Sequence, residues 1–410
     1  VGEEKVSPWA EQLVKAALLH APKDGSIEVK AEFLQALVGK LKSVVEFEKW
    51  GLLTLESWVS KSWYREVAKL EGHIFAVQCL QALPDGRIVS GSRDGTLRCW
   101  TRTADATWHG EVLSAHELSV ECLQALPDGR IVSGGHDKTI CVWTRGPDGK
   151  WIRAVLSGHT GPVSCLKALP GEKIVSGGGE GLSIWTRVNG REWSSEVLSG
   201  HTLWITCLQA LPDGRIVSGS EDRTIRVWTG GANGDWNSEV LSGHIRQVNC
   251  LQALPDGRIV SGSYDHTLRV WARGAYGEWS SEVLSGHTNS ITCLQALPDG
   301  RIVSGSDDNT VRVWTRGADG KWSSEVLSGH THFVRCLQAL PDGRIVSGSR
   351  DNNLRVWTRG AEEKWSSEVV SKHTGGVTCL QALADGRIIS GSQDHTVRIW
   401  DGTAVEGGNP

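Results

Sequence analysis

What most constrains this chain is its internal period. His73, His116, His159, His201, His244, His287, His330 and His373 follow one another at 43 residues, with one interval of 42. Each leads, about 27 residues on, to a tryptophan: Trp100, Trp143, Trp185, Trp228, Trp271, Trp314, Trp357 and Trp400. Between them recurs a near-constant segment such as CLQALPDGRIVSGSDDNTVRVW. A period between 20 and 50 residues decides the architecture before any local reading, because one such unit cannot bury its own apolar face and must stack on its neighbours. Eight units are present.

Within a unit, the β-branched runs ITCLQAL, RIVSGS and TVRVW have strand length, and the turn signals PDG and SDDN separate them. A fourth run, WSSEVLSG, follows a Gly-rich loop such as RGADGK. The expected unit is a four-stranded antiparallel meander. Copying also accounts for a skewed composition of 20 Trp against 4 Phe, 3 Tyr and no Met. Eight Trp end the third strands, and Trp63, Trp108, Trp151, Trp193, Trp236, Trp279, Trp322 and Trp365 begin the outer ones.

The Gly-His pair, the mid-unit Ser and Asp, the closing Trp and the period together resemble the WD40-repeat family of β-propellers, over about residues 63 to 401. The Asp of the terminal Trp-Asp pair survives only at Trp400-Asp401. The resemblance implies an all-β, eight-bladed propeller of four-stranded antiparallel blades, with seven blades and one displaced repeat as the competing count. It also implies a hydrogen-bonded set in each blade, formed by His73, Ser90, Asp94 and Trp100 in the first and by His287, Ser304, Asp308 and Trp314 in the sixth. The third unit, SGGGEGLSIW, has Glu180 near the Asp position in a turn one residue shorter, which puts that blade's set in doubt. An open sheet edge invites pairing with other chains. The run WYREVAKLEG before His73 has the outer-strand pattern, and only DGTAVEGGNP follows Trp400, so the N-terminal strand is expected to complete the last blade.

Three segments follow: a helical stretch over 1–62, the propeller over 63–402 and a tail over 403–410. Ser7-Pro8 starts one helix and Pro22 ends it. A second is expected from about Ser26 to Phe47 and a third from about Leu52 to Lys61. This stretch reads as a cap, a linker or the remnant of an upstream domain, and a first residue other than Met points to a trimmed chain or a piece of a longer one. A short helical segment ahead of such a propeller also resembles substrate-receptor subunits of ubiquitin ligases, or the recognition domain of a larger multidomain protein.

Charge and motifs exclude several classes. A formal net charge of -4 gives no phosphate-tracking surface, so no nucleic acid partner is expected. No run approaches the roughly 18 to 20 apolar residues of a membrane span, and no signal pattern opens the chain. Eight of the ten Cys form one column, Cys79, Cys122, Cys165, Cys207, Cys250, Cys293, Cys336 and Cys379, expected as reduced thiols in the core between blades. Reduced thiols fit a cytoplasmic location. No zinc spacing, phosphate loop, nucleophile elbow or triad stands out, so neither metal, cofactor nor enzymatic activity is expected.

The eight copies serve as their own comparison. Two columns vary most: the three residues after each His, and the residue before each turn Asp, namely Arg93, His136, Gly179, Glu221, Tyr264, Asp307, Arg350 and Gln393. In a propeller both emerge on one face. The candidate partner-binding residues are therefore Phe75, Arg93, Glu117, His136, Trp204, Glu221, Arg246, Tyr264, Asp307, Phe333, Arg335 and Arg350. Aromatics and Arg dominate protein-binding hot spots. The expected function is a monomeric, non-catalytic scaffold for a protein or peptide, with lectin-like small-molecule binding as the alternative of a different class.

Overall fold

The computed structural model describes residues 64–402, except 180, 191, 232–234, 361–362, 371 and 384. The helices expected before residue 63, the tail, Trp63 and Glu180 lie outside the described residues. Glu66–Asp401 forms one compact unit. Every regular element among the described residues is a strand, and 32 of them, β1 to β32, assemble into eight four-stranded sheets.

Blade one shows how the repeat builds a sheet. Its strands are β2 (Val77–Ala82), β3 (Ile88–Ser92), β4 (Thr96–Arg102) and β5 (Trp108–Ser114), paired antiparallel in that order. The Pro-Asp-Gly turn joining β2 to β3 places Gly86 at φ +85, which a side chain resists, and Arg87 Nε donates to Asp85 Oδ2 at 2.8 Å. Such a turn tolerates little change, which is why it barely varies between copies. Between Val77 and Cys79 the register shifts, leaving Gln78 as a bulge, and the same shift recurs in all eight inner strands.

The inner strand of each sheet packs on the next, and the last packs on the first. The core consequently lies between sheets. One cluster joins Val89, Leu97 and Leu113 of blade one to Val120, Ile131 and Trp143 of blade two. Each such side chain contributes about 1.5–3 kcal/mol by leaving water. A Cβ on Gly91 would lie 2.7 Å from both Cys79 Sγ and Val120 Cγ1, so only Gly lets the second blade approach this closely. Gly391 meets Val77 in the same way, and Ile389, Val397 and Ile399 share a cluster with Val77, Ile88 and Trp100. The eighth junction is thus packed like the others.

The eighth sheet has the order β1 (Arg65–Leu70), β32 (Val397–Asp401), β31 (Ile388–Ser392), β30 (Val377–Ala382). The two tryptophan columns do different work. Trp100 and its equivalents are buried between blades. The outer column is half-buried and ties neighbours together: Trp279 Nε1 donates to Glu239 of the preceding blade at 2.5 Å, and Arg273 Nη2 reaches the same carboxylate at 2.8 Å.

Candidate functional site

The site begins with what holds the turns in place. In blade one, His73 Nδ1 lies 2.9 Å from Asp94 Oδ2, His73 Nε2 2.8 Å from Ser90 Oγ, and Trp100 Nε1 2.8 Å from the same Oγ. An ionised carboxylate only accepts, so Nδ1 carries the proton; Nε2 of the neutral ring then accepts from Ser90, whose oxygen accepts from Trp100. Burial lowers the His73 pKa, which fits this neutral form. Burial alone would raise the Asp94 carboxyl, but Thr96 Oγ1, the Thr96 and Ile74 amides and His73 together hold it at about 2. The same set recurs around His287, Ser304, Asp308 and Trp314.

Two blades depart from this pattern. In blade two Trp143 Nε1 has no hydrogen-bond partner among the described residues, although His116 keeps Asp137 and Ser133. In blade three His159 and Trp185 both reach Ser176, but no carboxylate faces His159 among the described residues, and burial pulls its pKa down to about 4.

The Asp also reaches across to the loop after the His. Asp94 Oδ2 accepts from Ile74 N at 3.0 Å, and the backbone completes the link, Arg93 N donating to Ala76 O at 2.9 Å. Equivalent backbone bonds run from His136 to Ser119, Glu221 to Trp204, Tyr264 to Gln247, Asp307 to Ser290, Arg350 to Phe333 and Gln393 to Gly376. Two columns about 17 residues apart in sequence are thereby held side by side in seven blades, forming one rim. Phe75, Arg93, Glu117, His136, Trp204, Arg246, Tyr264, Arg335 and Arg350 are exposed on it, and Glu221, Asp307 and Phe333 are partly covered.

Some rim residues meet across blades. Arg335 Nη1 lies 3.7 Å from Asp307 Oδ1 of the preceding blade, and its guanidinium sits 5.3 Å from the Phe333 ring. Phe75 leans on His395, ring centroids 6.3 Å apart, joining blades one and eight. His136 pairs with Glu121 at 3.8 Å.

The structure adds residues that the sequence reading passed over. Ile74 and Ile245 are 69% and 73% exposed, and Leu118 and Leu203 are also bare. They lie in the variable loops and were legible there as apolar residues in a hydrophilic turn. The second addition is the bulge column. Thr292 Oγ1 donates to Val334 O of the next blade at 2.5 Å, and Ser164, Asn249 and Thr378 make the equivalent contact. Gln78, Glu121 and Arg335 hold the same position without a bond of that kind, their variation being visible as the residue before each column Cys.

The cysteine column packs against the clusters between blades, as expected, but is less covered than a core residue. Only Cys99 and Cys141 are buried residues; the eight of the inner strands are half-buried, with thiols turned onto the next blade, as Cys122 Sγ is toward Val163 O at 3.6 Å. Burial pushes the Cys165 thiol up to about 11 and Cys207 to about 12, so neither is a thiolate at neutral pH. All ten cysteines are free. Among the described residues no group of three His, Cys, Asp or Glu could hold a metal ion, and no helix is long and apolar enough to cross a membrane. An open groove of about 390 Å³ runs between β1 and β5, lined by Val67, Arg98, Trp108 and His109.

Residues 64–101, 109–144, 193–229, 237–272, 279–315, 322–358 and 366–401 match the family profile described as WD domain, G-beta repeat. The unmatched gap contains the three inner strands of blade three. No curated protein matches the chain. Among solved structures 1265 chains match, so many that the likeness cannot select a function. One is the crystal structure of the WD40 beta propeller domain of Doa1, with a TM-score of 0.57 and 23% identity over 82% of this chain and 97% of its own; at that identity it shows the fold alone.

Proposed function

The chain belongs to the WD40-repeat family, and we propose that it is a non-catalytic scaffold that captures a protein or peptide on the variable rim of its propeller. Such propellers are typically protein-interaction scaffolds. The observation that carries the reading is the pairing of the two variable columns by a backbone hydrogen bond in seven blades, which sets those two columns side by side; the loops joining third to outer strands vary as well. The rim presents Phe75, Trp204, Ile245 and Tyr264 at 42–73% exposure beside arginines. Large bare apolar groups rimmed by charge mark interaction surfaces. A site for one small ligand would instead repeat itself from blade to blade. The ten free thiols support a reducing, cytoplasmic location.

Trp204 is the residue to remove first. Trp204→Ala and Phe333→Ala should each weaken binding of a partner isolated by affinity capture by about 1–2 kcal/mol in a calorimetric titration. Changes within about 0.5 kcal/mol for both would overturn the rim as the binding face.

A further inference from the structure

The seams between blades are not alike on the outer wall of the ring. Between blades four and five, Glu239 accepts from Trp279 Nε1 and Arg273 Nη2 of the next blade; between five and six, Glu282 accepts from Trp322 Nε1 at 2.8 Å and Arg316 Nη2 at 2.9 Å. The donors follow the carboxylate by 40 and 34 residues. Counted back from Trp108 and Arg102 of blade one, both offsets reach Ala68 of blade eight. Arg102 stands opposite Trp108 in the strand ladder, as Arg273 stands opposite Trp279. The donor pair is kept, and a methyl group replaces its acceptor. Ala68 and Trp108 pack on one apolar cluster. Neither Trp108 Nε1 nor the exposed Arg102 guanidinium has a hydrogen bond or ion pair among the described residues.

A second acceptor is missing from the same seam. In blades four to seven, Nη1 of a third-strand arginine donates to a serine of the outer strand, as Arg269 does to Ser281 and Arg312 to Ser324, both at 3.0 Å. Blade one has Arg98, but Gly110 holds the serine position. Among the described residues Arg98 keeps one hydrogen bond, from Nη2 to Gly72 O at 2.7 Å. The two losses meet in the groove of about 390 Å³ between blades eight and one, which Ala68, Arg98, Trp108 and Gly110 all line. The acids around it are engaged: Glu71 with Lys69, Glu66 with Arg398, and Asp105 with the Thr103 and Thr107 hydroxyls. Ala154 of blade two is the other alanine at the glutamate position, and there Arg187 of blade three lies 3.7 Å from a different carboxylate, Glu172.

We propose that this groove is a second binding site, on the outer wall, for an extended acidic peptide whose Glu side chain takes the place that Glu239 and Glu282 fill at their own seams. The carboxylate accepts from Trp108 Nε1 and from Arg102, a charge-assisted pairing. A backbone carbonyl of the same peptide accepts from Arg98 Nη1. Arg98 and Arg102 stand four residues apart on one strand, about 13 Å, which an extended peptide covers in about four residues and a small free acid does not. The site is separate from the rim, since it lies between outer strands and the rim is built from the loops after each His.

The test is fluorescence anisotropy on the intact chain, using the labelled peptide Gly-Ala-Leu-Ala-Glu-Ala-Leu-Ala-Gly and its Gln-for-Glu counterpart. The Glu peptide should bind at least about tenfold tighter than the Gln peptide. Trp108→Phe, which keeps an aromatic ring and removes the N–H, and Arg102→Gln should each weaken it about fivefold, while Trp204→Ala on the rim leaves it within about twofold. Ala68→Glu supplies the carboxylate from within the chain. It should abolish peptide binding and raise the urea midpoint above that of Ala68→Gln, which has the same shape without the charge. Absent binding of the Glu peptide, equal binding of the two peptides, Trp108→Phe and Arg102→Gln both within about twofold of wild type, or an Ala68→Glu variant no more stable than Ala68→Gln overturns the proposal. In each of those cases the rim reading stands, because it is tested by Trp204→Ala against the captured partner.

Discussion

Blade three and the other seven are built to one plan by two unequal sets of residues. In blade three the apolar columns are intact: Val163, Leu166, Ile174 and Trp185 are buried against blade two, and Gly177 admits Ile205 of blade four as closely as Gly91 admits Val120. No carboxylate joins its polar set among the described residues, its turn is one residue shorter, and the family profile passes over its three inner strands. Yet it forms four paired strands in the same order as the rest. The comparison separates two roles. Apolar columns and close-approach glycines make the sheet and the ring, whereas the His, Ser, Asp and Trp set fixes the turn that presents the rim.

If that division is right, removing the carboxylate from an ordinary blade should cost stability without unmaking the blade. Asp308 accepts from His287 Nδ1, the Thr288 and Thr310 amides and Thr310 Oγ1. Asp308→Ala leaves all four donors short of an acceptor in a poorly hydrated site, a loss of about 3–4 kcal/mol. The urea midpoint should fall accordingly while the far-UV spectrum of the sheets stays. A loss under about 1 kcal/mol would mean that the polar set is ornamental in every blade.

Much of this was legible in the sequence, and for a physical reason. A repeat reports its period, and the alternating β-branched runs report strands whose two faces are both buried against neighbours. The rim was legible because copies that share a core have no reason to differ except where they face something else. What escaped was register. The bulge before each Cys shifts one residue out of the ladder, and nothing in a run such as ITCLQAL marks it. The shifted residue is the column that carries Arg335, which stands beside Asp307 of the preceding blade.

His159 of blade three sharpens the comparison through pH. In the folded chain burial holds His159 at about 4, against an ordinary value near 6.5. Its unfolded form therefore takes up a proton that the folded form refuses, and stability is lost as pH falls from about 6.5 to about 4. His159→Gln keeps a hydrogen-bonding side chain and removes the titration. The gap in urea stability between wild type and His159→Gln should narrow by about 2–3 kcal/mol from pH 7 to pH 4. The carboxylates behave with their own sign and window. Asp94, Asp222 and Asp351, at about 2 when folded, add stability that is present above pH 4 and lost as pH falls toward 2. A His159→Gln variant that parallels wild type across the upper window would show that the ring is solvated and blade three less sealed than its packing implies.

The smallest effect tests whether blade three diverged freely or under some demand. Seven blades carry Gln at one inner-strand position, Gln81, Gln124, Gln209, Gln252, Gln295, Gln338 and Gln381, where blade three has Lys167. The glutamines bond the backbone beside them, and Gln381 Oε1 accepts from Ala82 N of the next blade at 2.7 Å. A lysine has no acceptor and breaks that exchange. Burial lowers its ammonium pKa, so the charge is carried at neutral pH against a desolvation cost. Lys167→Gln restores the repeated residue and should stabilise the chain by about 0.5–1 kcal/mol at pH 7. Because the folded pKa is depressed, the gain should shrink as pH rises through the range where an ordinary lysine deprotonates, about 10. A variant that is less stable instead would mean that Lys167 is retained for what it contacts, and blade three would then be a specialised blade rather than a decayed one.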